Sequence, residues 1–410
     1  LKICIQILKL ITHRSSIYNH QSPIINYQSS IINPFPYFCR TFYLKQHSMQ
    51  LWNTLNKEEL EAKWRESGYK FVTISFYTYA HIANPRLFRD HLFQQWSNID
   101  VVGRTYIAKE GINAQIAVPL HHLDQFRDEL YQIDFLNGVR LNIAVDDSEA
   151  EFPFLKLKIK VRDKILADGL NDETFDVTNK GIHLNAEEFN QLTDDPNTIL
   201  IDFRNHYESE VGHFKGAILP DVDTFRESLP FIEDEYLKGN EEKNVVMYCT
   251  GGIRCEKASA WFRHRGFKNV HQLEGGIIKY ANDCKQKGIE NKFIGKNFVF
   301  DERRGERISE DIIAVCHQCG SPADTHANCA NDACHLLFIQ CDACKAKFEN
   351  CCSTDCQSVI HLSADEQKAL RKGKEVSNKI FKKGRSEKLQ FQVNKEKPLS
   401  LVESNKEHLA

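Results

Sequence analysis

The sharpest chemical signal in the sequence is a cysteine that ends an apolar run and is followed by glycines and an arginine. Asn244-Val-Val-Met-Tyr248 leads into Cys249-Thr250-Gly251-Gly252-Ile253-Arg254-Cys255, and a helical segment from Cys255 to Gly266 follows. The glycines let backbone N–H groups turn into the loop without steric penalty. The helix that follows points its partial positive charge at the same place. A thiol held there ionises more readily, with a pKa lowered by about one to several units, and Arg254 adds a fixed cation. Cys249 is therefore expected to be an activated thiolate or the carrier of a persulfide, cradled by Thr250, Gly251 and Gly252. The bland alternative is a core cysteine at a strand end, which the Gly-Gly-Arg sequence disfavours. Cys255 either resolves a persulfide by disulfide formation or packs in the first helical turn. Cys284, on a late helix, reads as inert.

A second group of chemistry-bearing residues lies further on. Nine of the 14 cysteines crowd into residues 316–356. A disulfide scaffold spreads its bridges through a small secreted domain, whereas a dense cluster in a long chain reads as metal-binding and suits a reducing, cytoplasmic compartment. Cys316-x2-Cys319 and Cys341-x2-Cys344 have the spacing of a structural zinc site. Cys329, Cys334, Cys351, Cys352 and Cys356, with His317, His326 and His335 nearby, could furnish another. Redox-active thiols that regenerate Cys249 and an iron–sulfur site are the competing readings.

The elements that must position these groups fall into several units. The chain has 410 residues, more than one core usually serves. A net charge of −3 gives no whole-protein signal for nucleic acid, so any basic surface is local. No apolar run is long enough to cross a membrane. Residues 1–48 contain no Asp or Glu and show no periodicity. They read as a disordered or spurious leader ahead of Met49, with a transit peptide as the alternative. Residues 49–165 have the order β-α-β-β-α-β of a ferredoxin-like, acylphosphatase-like α+β domain, with a final strand expected over Val139 to Val145. Phe154 to Arg162 alternates apolar and basic residues. As a strand it buries Leu155, Leu157, Ile159 and Val161, and presents Lys156, Lys158, Lys160 and Arg162 on one face. That face either holds RNA phosphates or is simply solvated. Residues 180–292 read as an α/β domain with parallel strands buried on both faces. Residues 293–362 form the cysteine-rich segment, expected to bind zinc, and 363–410 a basic tail without an apolar face, expected to be disordered.

Further motifs carry a resemblance. Asp202-Phe-Arg204, Glu208, Gly212-His-Phe-Lys-Gly216-Ala217, the Cys249 loop and Leu273-Glu-Gly-Gly-Ile277 together resemble a rhodanese domain. Asp202 and Arg204 are expected to brace the loop rather than react. Related cysteine–arginine loops of phosphatases are longer, and four residues between Cys249 and Arg254 suit one extra sulfur better than a phosphate. Ser75-Phe-Tyr77, Gly103-Arg104, Lys109 to Gln115, Val161-Arg-Asp163, Gly295 to Glu302 and Cys316-His-Gln-Cys319 extend the likeness. From Met49 to Cys356 the chain resembles the bacterial tRNA uridine hydroxylase family. That resemblance implies oxygen-dependent conversion of the wobble uridine of tRNA to 5-hydroxyuridine, with molecular oxygen as co-substrate and Cys249 required. No flavin or nicotinamide fingerprint is present. The residues by themselves support a rhodanese-type sulfurtransferase using a Cys249 persulfide, or a non-catalytic RNA-binding scaffold.

Overall fold

The computed structural model describes residues 54–145, 151–172, 174–372 and 385–391. The leader 1–48 lies outside the described residues, as does most of the basic tail.

The N-terminal domain opens with helix α1 (Lys57–Ser67), started by a reciprocal Asn56–Glu59 capping box. Strand β1 (Phe71–Tyr79), helix α2 (Pro85–Asn98), strands β2 (Val102–Ala108) and β3 (Gly111–Pro119), helix α3 (Leu123–Tyr131) and strand β4 (Asn142–Ile143) follow. A fifth strand, β5 (Leu157–Val161), adds parallel to β2, so the sheet order is β4-β1-β3-β2-β5. One face packs Ile74 and Phe76 against Phe88, Leu92 and Trp96 of α2 and Phe126 and Leu130 of α3. Alternation along the strands puts Ser75, Tyr77, Asn113 and Gln115 on the opposite face.

Two expectations are corrected here. The last strand of the β-α-β-β-α-β unit shrinks from Val139–Val145 to Asn142–Ile143, because Val139 is still engaged in a turn that donates to the Leu136 carbonyl. In the basic strand, Leu157 and Ile159 are buried, but Val161 is 36% exposed and Leu155 lies outside the strand. β5 is an edge strand, and only its Leu157 and Ile159 join the core beneath α2.

The second domain runs through β6 (Ile182–Leu184), α4 (Ala186–Thr193), β7 (Thr198–Asp202), α5 (His206–Ser209), β8 (Gly212–Phe214), α6 (Phe225–Ile232), β9 (Asn244–Tyr248), α7 (Ile253–His264), β10 (Val270–Leu273) and α8 (Gly276–Lys287). β6, β10, β9 and β7 form an all-parallel sheet in that order. The centrally placed β9 sends Val245 and Met247 into one core and Val246 and Tyr248 into the other. This two-sided burial explains its uninterrupted apolar run.

β8 pairs with β11 (Phe293–Asn297), which pairs with β12 (Glu306–Arg307) and leads into the cysteine-rich segment. That segment is built on the hairpin β13 (His326–Asn328) and β14 (Leu337–Ile339) and the short helices α9 (Asp342–Phe348) and α10 (Thr354–Ile360). In the tail, expected to lack structure, helix α11 (Ala364–Arg371) is formed and residues 385–391 return to the cysteine-rich segment, burying Leu389. The expectation looked for a continuous apolar face, whereas a single leucine and Arg385, ion-paired with Asp221 and Asp223, anchor this stretch. Among the described residues no helix is long and apolar enough to cross a membrane.

Candidate active site

Cys249 leaves the centre of the parallel sheet at the carboxyl end of β9 and is fully buried. The backbone N–H of Gly252 donates to its sulfur at 3.2 Å. Burial alone would raise the thiol's pKa. It is outweighed by a hydrogen bond from the Cys255 thiol, the charge of Arg254 and the backbone N–H groups of Cys255 and Arg254, which bring it down to about 6. Cys255 moves the opposite way, held protonated by burial and by the thiolate beside it. The pair is thus one thiolate with a thiol donor. Cys255 is fully buried in the core of the parallel sheet, so it both packs there and modulates Cys249.

The loop's shape is imposed from three directions. The first turn of α8 donates the N–H groups of Ile277 and Ile278 to the carbonyls of Cys249 and Thr250, at 3.0 and 3.2 Å. Gly276 has φ +66°, and a Cβ there would stand 2.5 Å from the Cys249 carbonyl oxygen, so glycine is required at 276 by this close approach. From the second direction, Arg254 is held by Glu208, donating to its two carboxylate oxygens at 2.7 and 2.8 Å. Glu208 belongs to α5 and is fully buried. Its place in the sequence motif gave no hint that it orients Arg254. From the third, Arg204 forks onto Asp202 with contacts of 2.6 and 2.9 Å and donates to the Gly212 carbonyl at 2.6 Å. Asp202 and Arg204 therefore join β7 to β8 beneath the loop and do not touch the sulfur.

The polar face of the N-terminal sheet covers the loop. Asn142 donates to the Gly251 carbonyl at 3.4 Å. A Cβ on Gly252 would stand 2.8 Å from the Tyr77 hydroxyl. Between the two domains lies a cavity of about 260 Å³. Cys249, Arg254, Ser75, Gln115, Phe300 and Glu306 are among the side chains lining it. Among the described residues, the buried Ser75 Oγ finds no hydrogen-bond partner there. Burial pushes the Glu306 carboxyl up, and the Arg303 guanidinium at 2.6 Å opposes it. No role was expected of Ser75, Gln115 or Glu306. Short motif runs contain Ser75 and Gln115, whereas Glu306 lies just beyond the run Gly295 to Glu302.

A buried ion cluster locks the cover in place. Lys257, on α7, is 1% exposed and sits 2.7 Å from Asp168, in the stretch between β5 and β6, and 3.0 Å from Glu110 of the β2–β3 turn. Glu110 also accepts from the backbone N–H of Ile165 at 2.8 Å. The Lys109–Gln115 run thus serves domain docking as well as the cavity wall.

The four candidate RNA-contacting residues, Lys156, Lys158, Lys160 and Arg162, are all exposed on or beside β5. Their strand continues the sheet that covers Cys249. Directly paired residues share a face. The ladder registers therefore line up Asn142, Ser75, Gln115, Arg104 and Lys158 in one row across the sheet. Partial burial lowers the Lys158 pKa, and the charges of Lys156, Arg104 and Lys160 add to the effect. Arg162 also lies 5.8 Å from the Tyr106 ring.

The four candidate metal ligands are brought together. The sulfurs of Cys316, Cys319, Cys341 and Cys344 lie within 4.8 Å of one another. Gly320, at φ +75°, turns the chain after the first pair, and Cys341 caps α9 with its sulfur 3.5 Å from the Cys344 N–H. Phe298 packs with Cys316 and Cys344 against Tyr207, and His317 meets Glu210 at 2.8 Å. The cage therefore backs onto the helix that carries Glu208.

An acylphosphatase-like module, a rhodanese fold with an activated cysteine and a tetracysteine segment define a rhodanese-containing multidomain protein. Family profiles agree: "UPF0176 acylphosphatase like domain" matches residues 71–165, "Rhodanese-like domain" 185–283 and "Rhodanase C-terminal" 294–357. Proteins named tRNA uridine(34) hydroxylase from Photorhabdus laumondii and Yersinia enterocolitica are each 54% identical over 82% of this chain and 95% of their own length. One of the same name from Leptospira interrogans is 52% identical over 82% of this chain and 90% of its own. The chain belongs to the tRNA uridine(34) hydroxylase family. Among solved structures, a rhodanese-like domain protein from Staphylococcus aureus shares 21% identity over 24% of this chain and 90% of that one; its TM-score of 0.20 is too low to bear on the argument.

Proposed function

We propose that this protein hydroxylates the wobble uridine of tRNA to 5-hydroxyuridine in the cytoplasm, consuming molecular oxygen, with Cys249 as the essential reacting group. The observation that carries this reading is the polar row that runs from the cavity at Cys249, through Ser75 and Gln115, to Arg104 and Lys158. A nucleobase turned out of an anticodon loop needs a small polar cavity at the chemistry and cations for its flanking phosphates. Here both lie on one sheet face. Lys156, Lys158, Lys160 and Arg162 are the phosphate contacts in this scheme, and Ser75 and Gln115 face the base.

The Arg254 side chain and the backbone N–H groups of Gly252, Arg254 and Cys255 keep the sulfur anionic, Thr250, Gly251 and Gly252 form the loop around it, and Asp202 and Arg204 keep the loop in shape. Zinc at Cys316, Cys319, Cys341 and Cys344 has a structural part, fixing the segment that backs onto Glu208. Four thiolates and no open position suit a structural rather than a catalytic ion. The test is reaction of the purified chain with unmodified tRNA, with and without oxygen, read by nucleoside mass spectrometry. 5-Hydroxyuridine is expected only with oxygen and only with Cys249 intact. An equal yield from Cys249→Ala, or an equal yield without oxygen, overturns the reading.

The N–H contact to the Cys249 sulfur also favours a second reading, a sulfurtransferase with a Cys249 persulfide. That reading requires thiosulfate:cyanide turnover that is lost in Cys249→Ala and indifferent to tRNA.

A further inference from the structure

A second group of sulfurs lies apart from the cage just described. Cys329, Cys334, Cys352 and Cys356 also have all four sulfurs within 4.8 Å of one another. Three of the four are buried, and none forms a disulfide. Cys334 and Cys352 sit 3.7 Å apart, as do Cys352 and Cys356. A disulfide would bring two sulfurs to about 2.05 Å. A single tetrahedral ion with metal–sulfur bonds of about 2.3 Å separates its ligands by about 1.63 times that length, or about 3.8 Å. The observed spacing matches the shared ion. A cluster of several irons places its cysteines on different metals and so spreads them further.

We infer that Cys329, Cys334, Cys352 and Cys356 bind a second zinc ion, interleaved with the first. This goes beyond the function proposed above, which involves only the first cage. Along the chain the ligand pairs alternate: Cys316 and Cys319 belong with Cys341 and Cys344, and Cys329 and Cys334 with Cys352 and Cys356. Each ion therefore clamps two segments whose intervening stretch contains ligands of the other.

The local geometry presents each sulfur. The Asn331 side chain accepts from the Ala333 N–H at 2.9 Å and its carbonyl from the Cys334 N–H at 2.8 Å, closing a turn that aims Cys334 inward. The Cys352 N–H donates to the Cys329 sulfur at 3.4 Å, an arrangement that favours thiolate. Cys356 sits in the first turn of α10, where Ser353 caps its N–H at 3.3 Å. Spacing alone offers five thiols for this site, and the fold leaves Cys351 out of the set although it is fully buried beside it. The surrounding apolar groups are few, chiefly Leu336, Phe338 and Leu389. A core that small needs a staple. Because Leu389 rests on it, the second ion also holds the returning segment 385–391, whose Arg385 reaches Asp221 and Asp223 of the rhodanese domain.

Elemental analysis of the full chain, purified under reducing conditions, tests this. Wild-type protein is expected to carry two zinc ions per chain. Cys334→Ser and Cys319→Ser are each expected to carry one, and Cys351→Ala two. Zinc at one equivalent in the wild type, with Cys319→Ser then carrying none, overturns the second site and leaves the first intact. Iron in place of the second zinc, or loss of one zinc in Cys351→Ala but not in Cys334→Ser, overturns the assignment as well. Should Cys334→Ser not fold, cadmium exchanged into the wild-type protein decides. Two cadmium NMR resonances in the all-thiolate range support two cages, and a single one refutes them.

Discussion

Arg254→Gln separates two things the arginine does, bracing the loop and keeping Cys249 ionised. Arg254 and Glu208 are buried and joined by two hydrogen bonds of 2.7 and 2.8 Å. Removing one partner of such a pair costs about 3–5 kcal/mol. Glu208 keeps one donor, the backbone N–H of Asn205 at 3.1 Å. The glutamine amide replaces another, so the lower end, about 3 kcal/mol, is expected. The urea midpoint of the variant should fall accordingly. The second effect is on the thiol. With its pKa at about 6, Cys249 is roughly 90% thiolate at neutral pH. Without the arginine's charge, burial is opposed only by the Cys255 thiol and the loop N–H groups, and the pKa climbs toward the ordinary thiol value. Each unit of rise slows alkylation below the inflection about tenfold. The sign for stability follows. A folded-state pKa below the unfolded one gives a contribution that is complete above the unfolded value and is lost as pH falls through about 6. The variant should lose most of that dependence. The assay is the pH dependence of iodoacetamide labelling of the Cys249 peptide, read by mass spectrometry alongside urea unfolding. An inflection that stays near about 6, or an unchanged midpoint, refutes the account of the loop.

Three other outcomes are expected. Lys257→Met leaves the buried Asp168 without one cation and frees Glu110, so it should cost about 3–5 kcal/mol and expose the β2–β3 turn to proteolysis; limited digestion at an unchanged rate counts against the docking role. Gly276→Ala places a methyl 2.5 Å from the Cys249 carbonyl oxygen and 2.6 Å from that of Thr250. It should displace the loop and abolish 5-hydroxyuridine formation while circular dichroism stays native, and full activity contradicts the close approach. The double variant Lys158→Ala, Lys160→Ala should weaken tRNA binding and make the log–log salt slope shallower by about 1.4, taking about 0.7 per phosphate contact on single strands. An unchanged slope assigns those lysines to solvent.

Much of the fold was readable because local pattern and final environment agree. The unbroken apolar run of β9 could only belong to a strand covered on both faces, and the Gly-Gly-Arg sequence after it could only form a tight loop ahead of a helix. The strand over Val139 to Val145 was overestimated because an apolar run says nothing about a turn that already engages Val139. Segment 385–391 was missed because its anchors, Leu389 and Arg385, find their partners far away in the chain.

The sequence by itself marked the candidate nucleophile, its cradle, the basic strand and the first set of four cysteines, since each is a matter of residue type at short spacing. Tertiary structure decided what surrounds them. Only folding brings Glu208 to Arg254, lays Ser75 and Tyr77 of the first domain over the cysteine loop of the second, and buries Lys257 between Asp168 and Glu110. It also chooses four thiols from five beside α10 and leaves Cys351 aside. The physical reason is the same in each case. The glutamate that braces Arg254, the carboxylates around Lys257 and the choice among five thiols depend on distances of a few ångströms between groups tens to more than a hundred residues apart, and spacing along the chain does not encode those distances.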